Sequence, residues 1–178
     1  MNAYETINDI LVNLFNEILK LEEEAIITDE FKDITNNDMH IIEAIGLSGG
    51  NTMSVVAKKL GITAGSLTTA INSLVNKKYV VRKRSEEDRR VVFIGLTQKG
   101  KRAFSHHQEY HKKMTEAVLE NLDEKEIPIL IKTLNSLSDF FRGYGEKNKK
   151  TGHLTTSGFF FISLPFACLK TTRRPARV

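Results

Sequence analysis

Two sets of side chains in this 178-residue sequence are of types and spacings that do chemistry. The first is polar. Between Thr63 and Lys78, Leu67, Ala70, Ile71 and Leu74 recur at helical spacing and define a buried face. Gly65, Thr69, Asn72, Ser73 and Asn76 form the opposite face, small, polar and almost uncharged. Threonine suits a thymine methyl and asparagine an adenine edge. Thr63, Ser66, Thr68, Thr69 and Asn72 are therefore candidates for contacts to bases or phosphates. Five basic residues follow between positions 82 and 90, around an acidic Glu86-Glu87-Asp88 tip. Such a segment is a poor core element and a good probe of a phosphate backbone and a minor groove. Lys77, Arg82 and Arg84 are expected on phosphate.

The second set is imidazole. His107 and His111 stand at i, i+4 on one helical face, and His40 is a third, near Glu22 and Glu24 in sequence. Neutral imidazoles with a carboxylate suit zinc. Structural histidines in a core are the competing role, and protonation near neutral pH is a further use of such a group. Catalysis has no comparable support. The chain has no glycine-rich phosphate loop and no nucleophile motif, and its serines and histidines lie on different helices. The sequence reads as non-enzymatic, with no cofactor.

Those residues need a scaffold, and the pattern supplies one. Met53–Leu60 reads as a helix whose Met53, Val56, Ala57 and Leu60 face inward. Gly61 ends it in the left-handed conformation that glycine adopts cheaply, and Thr63 caps the next helix. Tyr79–Arg84 and Val91–Leu96 are β-branched or aromatic runs of strand length, a two-stranded wing. Ala3 to about Ile27 predicts a long first helix, with Ile7, Ile10, Leu11, Leu14, Ile18 and Leu21 in a stripe. Thr35-Asn36-Asn37-Asp38 predicts a capping box ahead of a second helix ending near Gly46. Lys101 to about Asn121 predicts a fifth helix, with Phe104, His107, His111, Met114 and Val118 along it. A second capping box at Asp123–Glu126 precedes a sixth helix, Ile127 to about Tyr144, with Pro128 in its first turn. The fold class is mainly α: six helices and a two-stranded β wing around a winged helix-turn-helix. Three long amphipathic helices exceed what one small wing domain covers, so a second copy in a two-fold dimer is expected to bury them.

Composition agrees. With 40% hydrophobic residues, the chain can bury one good core, and one structural unit is expected. Residues 1–60 carry 4 basic and 11 acidic side chains, residues 61–113 carry 12 and 4, and residues 114–148 carry 4 and 7. A basic middle between acidic flanks localises polyanion contact to the helix from Thr63 and the wing. The N-terminus lacks the basic and apolar regions of a signal peptide, no run is long enough to span a bilayer, and Cys168 is the one cysteine. A cytoplasmic location without membrane contact is expected.

Arg84-Ser85-Glu86-Glu87-Asp88-Arg89-Arg90-Val91-Val92, followed by Leu96-Thr97-Gln98-Lys99-Gly100, resembles the wing of MarR-type winged-helix repressors. The resemblance covers roughly residues 4–144. It implies a DNA-binding repressor dimerising through its first, fifth and sixth helices. It also implies that Asp88 orients the wing arginines and that Arg90, with Arg89 as the other candidate, reads the minor groove. Phe31-Lys32-Asp33-Ile34-Thr35, Met39–Gly46 and His106–Met114 are more specific, being similar to the FabT-type branch. That branch represses type II fatty-acid synthesis genes, with long-chain acyl groups on acyl carrier protein as corepressor. An acyl chain needs an apolar slot, and Leu14, Phe15, Ile18, Met39, Ile42 and Met114 are its candidate lining, although plain core is the ordinary role of each. The alternative is a zinc-responsive repressor of metal-uptake genes using His40, His107 and His111.

The expected organisation is an N-terminal dimerisation helix and connection over 1–34, a DNA-binding domain over 35–100, C-terminal dimerisation helices over 101–145, and a disordered or non-native tail over 146–178. The tail holds Phe159, Phe160, Phe161 and Phe166 without helical period, as an appended or read-through segment would. As a dimer, two recognition helices about 34 Å apart would meet successive major grooves of a double-stranded palindromic operator.

Overall fold

The computed structural model describes residues 2–89 and 91–150, with side chains up to Tyr144. Arg90, expected in the minor groove, and the tail beyond Lys150 lie outside the described residues. The order is α1 (Ala3–Ile26), α2 (Asn36–Ile45), β1 (Asn51–Thr52), α3 (Met53–Leu60), α4 (Ala64–Asn76), β2 (Val80–Arg84), β3 (Val92–Leu96), α5 (Gln98–Leu119) and α6 (Ile127–Lys150). Six helices and a winged sheet match the expected class. Among the described residues no helix is long and apolar enough to cross a membrane.

Caps set the boundaries. Asn2 accepts from the Glu5 N–H while the Glu5 carboxylate accepts from the Asn2 N–H, opening α1. Thr35 and Asp38 make the same reciprocal pair at the start of α2, as the sequence predicts. Gly46 ends α2 at φ +69°, and the Asn51 side-chain amide donates to the orphan carbonyl of Ile45 at 2.7 Å. Gly61 turns the chain between α3 and α4 at φ +67°.

Three expectations change. The wing is three-stranded, because Asn51 and Thr52 pair antiparallel with Ile94 and Phe93 and give the order β1-β3-β2. The sixth helix runs on to Lys150, so the first residues of the expected tail are helical. The chain also divides into two compact units rather than one. The first comprises residues 1–59 and 63–114, and the second residues 60–62 with 115 onward.

The first unit has the core. Met39, Ile41, Ile42 and Ile45 of α2 are fully buried, as are Val56 of α3, Leu67, Ile71 and Leu74 of α4, and Ile94 of β3. Each such side chain contributes about 1.5–3 kcal/mol. Only Glu22 and Ile26 of α1 are buried, whereas Ile7, Ile10, Leu14 and Leu21 are exposed. The second unit differs in kind: none of the side chains from Thr115 to Tyr144 is buried.

Candidate nucleic-acid interface and the polar clusters behind it

Helix α4 presents the expected polar face. Thr63 caps it, its Oγ1 accepting from the Ser66 N–H at 3.1 Å and lying 2.9 Å from Ser66 Oγ. Thr68 and Thr69 donate to the carbonyls of Ala64 and Gly65, which fixes their rotamers. Thr63, Ser66, Thr68, Thr69 and Asn72 all reach solvent, while Leu67, Ile71 and Leu74 are sealed beneath them. A hydroxyl that donates to its own helix retains lone pairs for an incoming donor.

The wing follows from strand pairing. Val80 opposes Leu96 at the base, and Arg82 and Arg84 oppose Ile94 and Val92 further out. Alternation along β2 puts both arginines on one side, exposed, with Lys83 on the other. Ser85 shapes the tip, its Oγ accepting from the N–H groups of Glu87 and Asp88. The Val91 N–H closes the turn onto the Asp88 carbonyl. Asp88 and Arg89 are exposed there.

Lys77, expected on phosphate, is part-exposed and already has a partner within the chain. Its Nζ lies 2.7 Å from Asp38 Oδ2, an ion pair between the end of α4 and the cap of α2. Asp38 therefore caps a helix and holds a lysine at once.

Beside Lys77 the chain turns on a residue of unusual conformation. Lys78 has φ +66°, its N–H donates to the Val75 carbonyl, and the Tyr79 N–H donates to the Leu74 carbonyl. This is a Schellman closure with lysine where glycine is usual. The buried Tyr79 then meets three further residues on two segments. Its hydroxyl donates to Asp33 Oδ1 at 2.6 Å, its carbonyl accepts from Thr97, and Lys99 Nζ stands 4.0 Å from its ring centre. Lys99 also reaches Asp33 Oδ2 at 3.0 Å. Burial pushes the Tyr79 phenol up, and the Asp33 carboxylate beside it adds to the rise. For Asp33 burial acts upward, but Tyr79 and Lys99 outweigh it and hold the carboxyl below its ordinary value.

The histidines lie in a separate buried cluster joining α1, α2 and α5. His107 Nε2 is 3.0 Å from Glu22 Oε1, and His107 Nδ1 is 2.9 Å from Glu43 Oε1. His111 Nε2 lies 3.7 Å from Glu22, and Asn36 donates to the other Glu22 oxygen at 3.3 Å. Burial opposes the His107 charge, but the flanking carboxylates prevail and raise its pKa to about 9. Burial likewise pushes Glu22 and Glu43 up, and His107 with the other imidazoles more than reverses it, so both stay below the usual carboxylate range. His111 moves down, through burial first and the His107 charge second.

The geometry alters the expected metal set. Among the described residues, Glu22, His107 and His111 offer ligand atoms that all lie within 4.8 Å of one another. His40 is buried with its Nδ1 4.0 Å from Glu43 Oε2, and it is not in that group. Glu24 instead faces Lys20 on the exposed side of α1. Two imidazoles and a carboxylate at these separations fit a tetrahedral zinc with bonds near about 2.1 Å. Glu43, outside that metal group, is the residue of the buried polar cluster that sequence reasoning missed; its spacing of i+3 from His40 was the available signal.

Of the candidate acyl lining, Met39 and Ile42 are fully buried, Phe15, Ile18 and Met114 are half-buried, and Leu14 is exposed. The last four leave apolar surface on offer, while the first two serve as core.

Comparison with known proteins places these features in a family. A sequence profile of the MarR family matches residues 32–91, the stretch from the α1–α2 connection to the wing tip. The crystal structure of Streptococcus pneumoniae FabT in complex with DNA is similar at a TM-score of 0.72 and 40% identity, covering 79% of this chain and 99% of that one. The uncharacterized HTH-type transcriptional regulator YpoP of Bacillus subtilis (strain 168) is 28% identical over 109 residues, 60% of this chain and 75% of its own. A mutant E. coli MarR complexed with operator DNA shares the fold, at a TM-score of 0.55 and 23% identity over 77% of this chain and 99% of that one.

Proposed function

This chain belongs to the MarR family of winged helix-turn-helix DNA-binding transcriptional regulators, and we propose that it is a homodimeric repressor of type II fatty-acid synthesis genes whose corepressor is a long-chain acyl group on acyl carrier protein. It is a regulator rather than an enzyme. The observation that carries the finer reading is the likeness to the DNA-bound S. pneumoniae FabT over nearly the whole of that chain. Physical features support it. The exposed Ile7, Ile10, Leu14 and Leu21 of α1, and the side chains from Thr115 to Tyr144, none of which is buried, are what a second copy would cover.

In this reading the α4 face enters the major groove of a palindromic operator, and Arg82 and Arg84 neutralise phosphate. Asp88 orients the wing arginines, with Arg90 or Arg89 in the minor groove. Leu14, Phe15, Ile18 and Met114 receive the acyl chain. The ligand acts by shifting the population of a dimer whose two reading heads have more than one separation. By linkage, a corepressor that tightens DNA binding is itself bound more tightly on DNA.

A second reading is favoured by one observation, the buried Glu22, His107 and His111 group. It is a zinc-responsive repressor of metal-uptake genes. Bound there, zinc would cross-link α1 to α5, and it would have to displace the proton that Glu22 and Glu43 stabilise on His107.

Anisotropy of the full chain on DNA from fatty-acid synthesis promoters separates the readings. The arms are no ligand, long-chain acyl carrier protein, and zinc with a chelator control. Tightening by acyl carrier protein alone supports the lipid reading, and tightening by zinc alone replaces it with the metal reading. No response to either would overturn both effector assignments.

A further inference from the structure

The contacts of Tyr79 with Asp33 and Lys99 leave a question that base and phosphate contacts do not answer. Asp33 lies on the connection between α1 and α2, Tyr79 just beyond the end of α4, and Lys99 in the first turn of α5. They are far apart in sequence, yet they share one set of bonds. Tyr79 OH donates to Asp33 Oδ1 at 2.6 Å, and Lys99 Nζ bridges both Asp33 oxygens at 3.2 and 3.0 Å. The same ammonium stands 4.0 Å over the Tyr79 ring and 3.4 Å from the Lys77 carbonyl, at the C-cap of α4.

We propose that Asp33 is a positioning residue for operator reading: through Tyr79 and Lys99 it pins the end of the recognition helix and the base of the wing to the α1–α2 connection and the start of α5. Asp33 stands on the α1–α2 connection and not on α4 itself. Its effect passes through Tyr79, whose backbone joins the recognition helix to the wing: its N–H goes to Leu74, and its carbonyl accepts from Thr97. The Phe31 ring lies 6.5 Å from the same ring, tilted by 52°, so the connection meets Tyr79 by apolar and polar contacts together. The neighbouring Lys77–Asp38 ion pair at 2.7 Å ties the end of α4 to the cap of α2 as well. A reading head held at two such points keeps one tilt relative to α1 and α5. If those helices carry the dimer, as the proposed function holds, that tilt sets the distance between the two recognition helices. The pin should therefore govern how well two half-sites are engaged together and leave the binding of one half-site alone.

The test uses the full chain and the palindrome it selects from a random duplex pool. Affinities are measured for that palindrome and for a duplex carrying a single half-site, each over a range of salt. Asp33→Asn, Lys99→Met and Tyr79→Phe are each expected to weaken palindrome binding about 10-fold, within the usual range of coupling between sites. Half-site affinity and the salt slope are expected to match the parent, since the groups that meet phosphate are unaltered. Lys99→Arg should retain palindrome binding. Asp33→Asn combined with Lys99→Met should be no weaker than either alone, because the two act through one contact. Equal losses on palindrome and half-site would show a general structural role and overturn the pin, as would variants that read the palindrome like the parent. If the parent selects no palindrome, the operator reading fails and the pin fails with it.

Discussion

His107 Nε2 lies 3.0 Å from Glu22 Oε1 with both side chains buried, so an imidazole of α5 is fastened to a carboxylate of α1 inside the protein. The opposite ring nitrogen lies 2.9 Å from Glu43 of α2. One protonated ring between two carboxylates joins three helices, and a buried charge arranged in this way depends on all its partners.

Glu22→Ala should therefore be costly. It leaves His107 with one carboxylate in place of two and removes the acceptor of Asn36. A loss of about 3–5 kcal/mol is expected, read from urea unfolding at neutral pH. A cost within about 0.5 kcal/mol, the range of ordinary surface substitutions, would show that water already satisfies the cluster.

The same cluster sets a pH dependence. His107 is raised to about 9, so its stabilisation is fully present below its unfolded value near 6.5 and is lost as pH rises through 9. Glu22 and Glu43 are depressed, so theirs is present above the unfolded value near 4.5 and is lost as pH falls through their folded values. His111 is depressed too, and a histidine that resists protonation costs stability as pH falls below 6.5. Thermal melts should peak near neutrality and decline on both sides. His107→Gln should flatten the alkaline decline, and an unchanged alkaline limb would show that His107 is not charged in the folded state.

Lys78→Gly should stabilise the fold. Lysine at φ +66° carries the left-handed penalty of about 1–2 kcal/mol, which glycine avoids at some cost in unfolded-chain entropy. A net gain of about 1 kcal/mol in denaturant melts is expected. A loss would mean that the lysine side chain contributes more than its backbone conformation costs.

Gly100→Ala should do the reverse. A Cβ at Gly100 would collide with the carbonyl oxygen of Tyr79 and come 3.3 Å from Leu96 Cβ. The colliding atom is backbone that already accepts from Thr97, so it cannot simply turn aside. Destabilisation of more than about 2 kcal/mol is expected, measured by thermal unfolding, and a melt like the parent's would mean that α5 slides freely on the wing base.

Arg84→Ala should leave folding intact, since the side chain is exposed and its strand pairs through the backbone. If Arg84 neutralises phosphate, the slope of log affinity against log salt should shrink by about 0.9 for every phosphate that the variant leaves un-neutralised. An unaltered slope would place Arg84 away from the DNA backbone.

The legible part of this protein was its local part. The Thr35–Asp38 box, the glycine corner at Gly61, the buried stripe Leu67–Ile71–Leu74 and the basic run Arg82-Lys83-Arg84 of the wing are set by residues a few positions apart. Helical and strand periods translate such spacings directly into faces. The third strand was illegible because two residues, Asn51 and Thr52, have no period of their own and become a strand only when β3 lies alongside. The Lys77–Asp38 pair was illegible too, because a lysine at the end of a helix carries no mark of a partner 39 residues away.

By itself, then, the sequence determined the succession of helices and wing, the polar reading face and the place of the basic residues, because caps, glycines and side-chain periods act between near neighbours. Tertiary structure alone decided which charges meet. Tyr79 with Asp33 spans 46 residues, and His107 with Glu22 spans 85. Such pairs exist only because the fold brings α1, the α1–α2 connection, the end of α4 and α5 together, and no spacing along the chain encodes that packing.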